Sequence, residues 1–306
     1  MQLRLLLQPL ATHIFNVRQF IECFSPQSKG RSTSKIVTKS RVHGRVEEVQ
    51  SLLLQWYAIA RSSMKDRLAQ SGVNDAPMAI NLVIYHLLSL NTILSFPTIE
   101  HLICNGPAWN SSKQFANMIE EPEEVWLHSG QVLRLIRMIP LQLRPPWWAA
   151  SIYRAAIIAW ATSFSHSVHS SNQSSTTSSQ WSLSPANDNG SYLTPANGTG
   201  SGLGLGADSN NNNSNNTADG GMVAFDALAP DDNRMEKYLK QNDGTPVLTR
   251  RTGELVLLDN PKDVLDVFIE ALDSADGLCF TRGIRDKMKL MAERWLVAMN
   301  AMNNVE

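Results

Sequence analysis

The run Trp147 to Phe164, WWAASIYRAAIIAWATSF, limits the possible folds of this chain more than any other segment. Its 18 residues carry one charge, Arg154, near the middle. A spanning helix needs about 20 apolar residues, and a central arginine costs roughly 2.5–3.5 kcal/mol on insertion scales. A helix apolar on nearly every side is also what the centre of a large soluble bundle contains. Length and charge together favour the buried helix, so the sequence predicts no membrane partner.

The flanking sequence supplies partners for such a helix. Val46, Val49, Leu53, Trp56, Tyr57 and Ala60 recur at steps of three and four, the signature of an amphipathic helix. A second helix is expected from about Asp75, with Pro77 in its first turn and Pro97 ending it; a short piece, Thr98 to Cys104, follows. Asn105, Gly106 and Pro107 mark a loop, and Asn110 or Ser111 is a plausible cap beyond it. Glu120, Glu121, Glu123 and Glu124 surround Pro122 just before the run Val125 to Ile139. Acids in a first turn are favoured by the helix dipole, and no Asp or His beside them has ligand spacing, so the cluster reads as helix-starting rather than metal-binding. Residues 46–164 are therefore expected to form the first part of an all-helical domain.

Residues 165–221 differ in kind: Ser, Asn, Gly and Thr dominate, and Asp188, Asp208 and Asp219 are their only charged residues. Such a stretch cannot bury enough apolar area to offset its ordering entropy, and it reads as a long disordered linker or insertion. Its GLGLG run lacks the spacing and the strand–helix context of a dinucleotide loop. His166 and His169 supply only two ligands from a fraying end, a poor metal site. Order is expected again over 222–306, with a β-hairpin across 246–258 around the turn Arg250 to Gly253, then two helices. Asn260 and Pro261 start the first helix; Ile284, Met288, Met291, Trp295 and Met299 form the buried stripe of the second.

Residues 1–45 carry eight Lys and Arg against Glu22 alone. They read as a disordered basic segment, with a mitochondrial presequence or a basic arm as the alternatives. Across the whole chain 27 basic residues meet 28 acidic ones, which excludes a protein basic throughout, the usual footprint of a dedicated nucleic-acid binder. Cys23, Cys104 and Cys279 lie far apart with no Cys-x-x-Cys pair, so they build neither a disulfide framework nor a thiolate zinc site. No Gly-x-Ser-x-Gly elbow, His-Glu-x-x-His, or Walker loop is present, and no catalytic residue is assigned. The densest mix of aromatic and cationic groups is Trp126, Arg134, Arg137, Trp148 and Arg154, with Trp147 and Trp160 nearby. It reads as an effector pocket or a structural cluster, internal ion pairing being the default for such arginines.

The strings LSFPTIEHLICNGPAW (Leu94 to Trp109), HSGQVLRLIRMIP (His128 to Pro140) and RPPWWAASIYRAAIIAWA (Arg144 to Ala161) resemble the fungal-specific transcription factor domain. TPVLTRRTGELVLLDNP and FTRGIRDKMKLMAERW resemble the C-terminal part of the same regulators, in the subgroup with classical Cys/His zinc fingers. The resemblance covers about 46–164 and 222–306. It implies a mainly all-α, bundle-like regulatory (middle-homology-like) region of a nuclear RNA polymerase II transcription factor, not an enzyme. It also implies co-regulators or the transcription machinery as partners, and a possible homodimer. In the family zinc and DNA contact belong to a separate N-terminal finger module; no such module is recognisable here, so no cofactor, zinc ligand or base-reading residue is assigned. The expected explanations are a fragment with an incorrectly assigned gene start, residues 1–45 being foreign, or a regulator without its own DNA reader. The alternative is a helical ligand-binding protein or enzyme, mitochondrial where residues 1–45 act as a presequence.

Overall fold

The computed structural model describes residues 2–23, 35–71, 76–105, 118–119, 121–174, 221–273 and 279–303. Among them are nine helices: α1 (Gln2–Cys23), α2 (Lys35–Ser71), α3 (Ala76–Ile93), α4 (Phe96–Asn105), α5 (Pro122–Met138), α6 (Trp148–Ser174), α7 (Asn233–Gln241), α8 (Pro261–Leu272) and α9 (Cys279–Asn303). Three short strands, β1 (Met222–Ala224), β2 (Thr245–Thr249) and β3 (Leu255–Leu257), complete a mainly helical fold. The linker expected at 165–221 lies outside the described residues apart from its first ten and its last, and so does the cap expected at Asn110 or Ser111.

The apolar run is the central part of the bundle. From Trp148 to Ser165 every α6 residue is buried except Ala150, Tyr153 and Arg154. Helix α6 packs on α5 and α8, and α5 packs in turn on α3. α3 has the length and composition to cross a membrane, with 56% of its residues buried inside the protein. Pro97 does not end this helix: α3 stops at Ile93 and Pro97 sits in the first turn of α4, where its missing N–H leaves no bond unmade.

Within the basic segment 1–45, for which the sequence suggests disorder, Gln2–Cys23 form a 22-residue helix. The reason is a stripe at steps of three and four, Leu3, Leu7, Leu10, Ile14, Val17 and Ile21, which packs on α2 and α3. The Trp56 indole N–H donates to the Leu3 carbonyl at 2.8 Å, and Arg45 lies 5.5 Å over the Phe20 ring, so α1 and α2 run antiparallel. The Arg18 guanidinium donates to the carbonyls of Asn91 (2.6 Å) and Thr92 at the end of α3. A cation satisfies last-turn carbonyls well.

The hairpin expected at 246–258 is present as antiparallel β2 and β3, with Val247 facing Leu257 and Thr249 facing Leu255. A third strand was not foreseen: β1 pairs with β2 in parallel, Val223 facing Pro246. Gly244, at φ +122°, lets the two strands approach, since a Cβ there would lie 2.2 Å from the Gly221 carbonyl oxygen. Val223, Leu248 and Val256 point to the core, and Arg250 clamps the turn through Glu254, Asp263 and Glu270. Asn260 caps α8, accepting from the Asp263 amide at 3.4 Å, with Pro261 in the first turn as expected. α9 closes the bundle: Trp295 meets Trp160 edge-to-face at 4.7 Å and donates to the Ile103 carbonyl at 3.2 Å.

Candidate functional site

The five residues singled out from sequence do not converge. Trp126 stacks edge-on against His166 at 5.3 Å near the end of α6, whereas Trp148 begins that helix. Eighteen residues of rise separate Trp148 from His166, about 27 Å at 1.5 Å per residue. Arg154 is exposed and lies 5.4 Å over the Phe96 ring. Arg134 is half-buried and donates to the Gln131 side-chain oxygen at 3.1 Å. Arg137 pairs with Asp226. Arg134 and Arg137 are one turn apart, but Trp126, Trp148 and Arg154 serve other junctions.

What the structure builds instead is a polar seam where α5 receives the segment that follows β1. Gly130 has no side chain because the backbone of Phe225 lies where one would be: a Cβ would stand 2.7 Å from the Phe225 carbonyl oxygen. Beside it the buried Gln131 amide donates to the carbonyls of Phe225 (2.9 Å) and Leu228 (2.8 Å). Nearly two turns on, Arg137 meets Asp226, which is 4% exposed and also accepts from the Thr249 amide at 2.9 Å. Burial raises the Asp226 pKa, while Arg137 and the Thr249 N–H oppose that shift. Arg61 of α2 pairs with Asp231 at the far end of the segment. The Gln131 amide and the Asp226 carboxylate, the two buried groups that hold the segment, each bond partners across the seam, whereas one Arg137 nitrogen and the Thr249 hydroxyl are buried without a hydrogen-bond partner among the described residues.

Towards the start of α5 lies a cleft of about 270 Å³ between α2, α3 and α5. Leu53 and Leu54 of α2, Tyr85 and Ile93 of α3, and Glu124 and His128 of α5 face it. Glu124 has its pKa raised by burial and by the neighbouring charges of Glu121 and Glu123. Tyr85 stacks on Tyr57 at 4.8 Å, and burial pushes its phenol up to about 12. Behind the cleft wall, His86 Nδ1 and His128 Nδ1 are 2.8 Å apart. Burial lowers the His86 pKa well below its usual value, helped by His128 and Arg134, and lowers that of His128 to about 4. Both rings are thus neutral near pH 7. Among the described residues no group of three or more His, Cys, Asp or Glu has the geometry to hold a metal ion.

A third cluster fixes α9. Glu100 accepts from Lys287 and from the Tyr153 hydroxyl (2.7 Å), and Lys287 lies 4.8 Å over the Tyr153 ring. The Lys287 hydrogen bond is the main influence holding Glu100 below the usual carboxylate range.

The arrangement is that of a helical scaffold with a small pinned sheet and a side cleft, in which the polar groups hold elements together. Comparison with known proteins finds fungal relatives. The chain is 33% identical over 292 residues to Transcription factor 1 of Elsinoe fawcettii, covering 94% of this chain and 26% of that protein. It is 28% identical over 321 residues to Transcription factor opdJ of Penicillium oxalicum, covering 96% of this chain and 35% of the relative. Against Transcription factor PfmaH of Pestalotiopsis fici it is 29% identical over 303 residues, covering 96% and 26%. The chain thus spans about a quarter to a third of the length of these curated fungal relatives, all named transcription factors. No family model matches the chain, and no solved structure matches it.

Proposed function

We propose that this chain is the regulatory, middle-homology-like region of a fungal RNA polymerase II transcription factor. It acts in the nucleus through co-regulators, the transcription machinery or a small effector, and not as an enzyme. The observation that carries the reading is the extent of similarity: 94–96% of the chain aligns with 26–35% of proteins named transcription factors. A block that aligns with a minority of each regulator leaves room in those relatives for DNA reading elsewhere, and this chain's balanced charge, 27 basic against 28 acidic residues, fits a block that does not itself grip the phosphate backbone. Zinc belongs, on this reading, to a finger module of the full regulators and to no residue of this chain.

The α5 seam suits such a role, because it joins 221–231 to the bundle by specific buried polar contacts rather than by apolar area alone. The cleft beside Tyr85 is the place for a small polar effector: Leu53, Leu54 and Ile93 give it a limited apolar wall, and Gln50, Ser89, Thr92, Glu121, Glu124 and His128 line the rest. Fusing the chain to a heterologous DNA-binding module upstream of a reporter tests the reading. A change of several-fold in reporter transcript, up or down, is expected. Transcript equal to that from the DNA-binding module alone, with the fusion folded and nuclear, would overturn it.

A further inference from the structure

We infer that His86 and His128 form a two-proton latch across the seam between α3 and α5: it stays closed with one added proton and opens with the second. The property belongs to the fold and does not depend on the transcriptional role proposed above.

Proton counting at the two facing nitrogens gives the behaviour. Each neutral imidazole has one N–H donor and one lone-pair acceptor. At 2.8 Å, Nδ1 of one ring must carry the hydrogen and Nδ1 of the other must accept it. The donor ring is then the Nδ1–H tautomer and its partner the Nε2–H tautomer. A first proton goes to the free Nε2 of the donor ring, and the resulting imidazolium still donates from Nδ1, so the contact survives. A second proton has only the acceptor's Nδ1 left to occupy. Two N–H groups then face each other at a hydrogen-bond distance with two positive charges behind them, and the rings must part.

The surroundings resist charge and so couple proton uptake to opening. His86 is 3% exposed, and its ring sits between those of Tyr85 (4.9 Å) and Tyr57 (6.3 Å), neither of which supplies an anion near neutral pH. From α5, Arg134 adds a like charge against His86, while Glu124, one turn before His128, is the nearest carboxylate on that helix. From α1, Arg18 is engaged by the carbonyls of Asn91 and Thr92. From α2, Arg61 is paired with Asp231. Among the described side chains of α6, Tyr153 is directed to Glu100, Arg154 to Phe96 and His166 to Trp126. Once the rings are released into water each regains an ordinary affinity for protons, with pKa near 6.5. Two such groups favour the open state by roughly 100-fold at pH 5.5 and roughly 1,000-fold at pH 5, relative to pH 8.

Because His128 also lines the cleft with Tyr85, Ser89 and Glu124, opening remodels that cleft. Imidazole nitrogen NMR on the folded chain, titrated from pH 8 to pH 4, is the direct test. Expected at pH 8 are one Nδ1–H and one Nε2–H tautomer, with resonances of both rings moving together only below pH 6. Amides of α3 and α5 should exchange with an opening constant that rises about 100-fold between pH 8 and pH 5.5, after correction for intrinsic chemistry. The double substitution His86→Gln with His128→Gln should remove that rise while leaving the protein folded at pH 8. Two rings titrating independently near pH 6.5 would overturn the inference. So would an undiminished rise in the double variant; should that variant not fold, the tautomer pattern and coupled titration of the wild-type rings decide alone.

Discussion

Replacing Gly130 with alanine sets two effects against each other, and the structure decides the sign. Alanine is favoured over glycine in a helix interior by about 1 kcal/mol. At this position, however, the new Cβ would stand 2.7 Å from both Cβ and the carbonyl oxygen of Phe225, and 2.8 Å from its carbonyl carbon. Optimal carbon separations are about 3.5–4.0 Å, so the 224–226 backbone must retreat by roughly 1 Å. Two of the three atoms are backbone, which no rotamer change can move aside. The same retreat stretches the Gln131 bonds to the Phe225 and Leu228 carbonyls, now 2.9 and 2.8 Å, beyond hydrogen-bond range. Leaving a buried carbonyl unmatched costs about 1–3 kcal/mol, and overpacking itself about 1–3 kcal/mol. After the helical gain, Gly130→Ala is expected to destabilise by about 2–4 kcal/mol, lowering Tm by roughly 5–15 °C. Thermal unfolding by circular dichroism measures the shift, and hydrogen exchange shows whether 221–258 loosens first. Gly283→Ala is the control: it too is helical, nothing lies within 4 Å of its added Cβ, and a small rise in Tm is expected. An unchanged or higher Tm for Gly130→Ala would refute the close-packed seam.

Further outcomes follow from the same contacts. Gln131→Leu keeps the volume but orphans two buried carbonyls, so about 2–4 kcal/mol of stability should disappear in chemical denaturation, with little change in m-value. Trp295→Ala removes the contacts to Trp160 and Phe164 and the bond to Ile103, and should cost about 3–5 kcal/mol, with α9 losing exchange protection before α5 does. For His128 the folded pKa, about 4, lies below the unfolded value near 6.5, so its stabilisation is complete above pH 6.5 and is lost as pH falls towards 4. That single group should remove up to about 2 kcal/mol between pH 7 and pH 5, visible as a falling denaturation midpoint that His128→Gln flattens. Glu100, held low by Lys287 and Tyr153, acts at more acid pH: its contribution is present above the ordinary carboxylate range and lost below it, and Lys287→Met should erase that part of the acid limb.

Much of the fold could be read directly from local pattern. The helix at 261–272 follows from Asn260 and Pro261, the hairpin from the turn at Arg250 to Gly253, and the buried α6 from its apolar run. Local signals stop at the boundaries that tertiary packing sets: Pro97 starts a helix rather than ending one, and the Leu7, Ile14 and Val17 stripe holds α1 on α2 and α3. Strand β1 has no local signature, because three residues pairing in parallel with partners 23 positions away leave no periodic trace. The site was less legible than the fold. Density of Trp and Arg along the chain pointed to Trp126, Arg134, Arg137, Trp148 and Arg154, but nearness in sequence says nothing about which helix face or which end each residue takes. Gly130 and Gln131 meet Phe225 across about 95 residues, Arg137 meets Asp226 across 89, and His86 meets His128 across 42. The available signals were a glycine inside an otherwise strong helical pattern and a glutamine on its buried side, both of which carry meaning only once a partner backbone is known.

The account joins a transcriptional role to a scaffold whose α5 seam must be intact, and one measurement joins the two. The chain, tethered to a heterologous DNA-binding module, is assayed for reporter transcript as wild type, Gly130→Ala, Gln131→Leu and Gly283→Ala at matched nuclear protein levels. The account predicts a several-fold effect for wild type and Gly283→Ala, and a loss of effect in the two seam variants that follows their loss of stability. No effect from the wild type, or an equal effect from all four proteins, would contradict it.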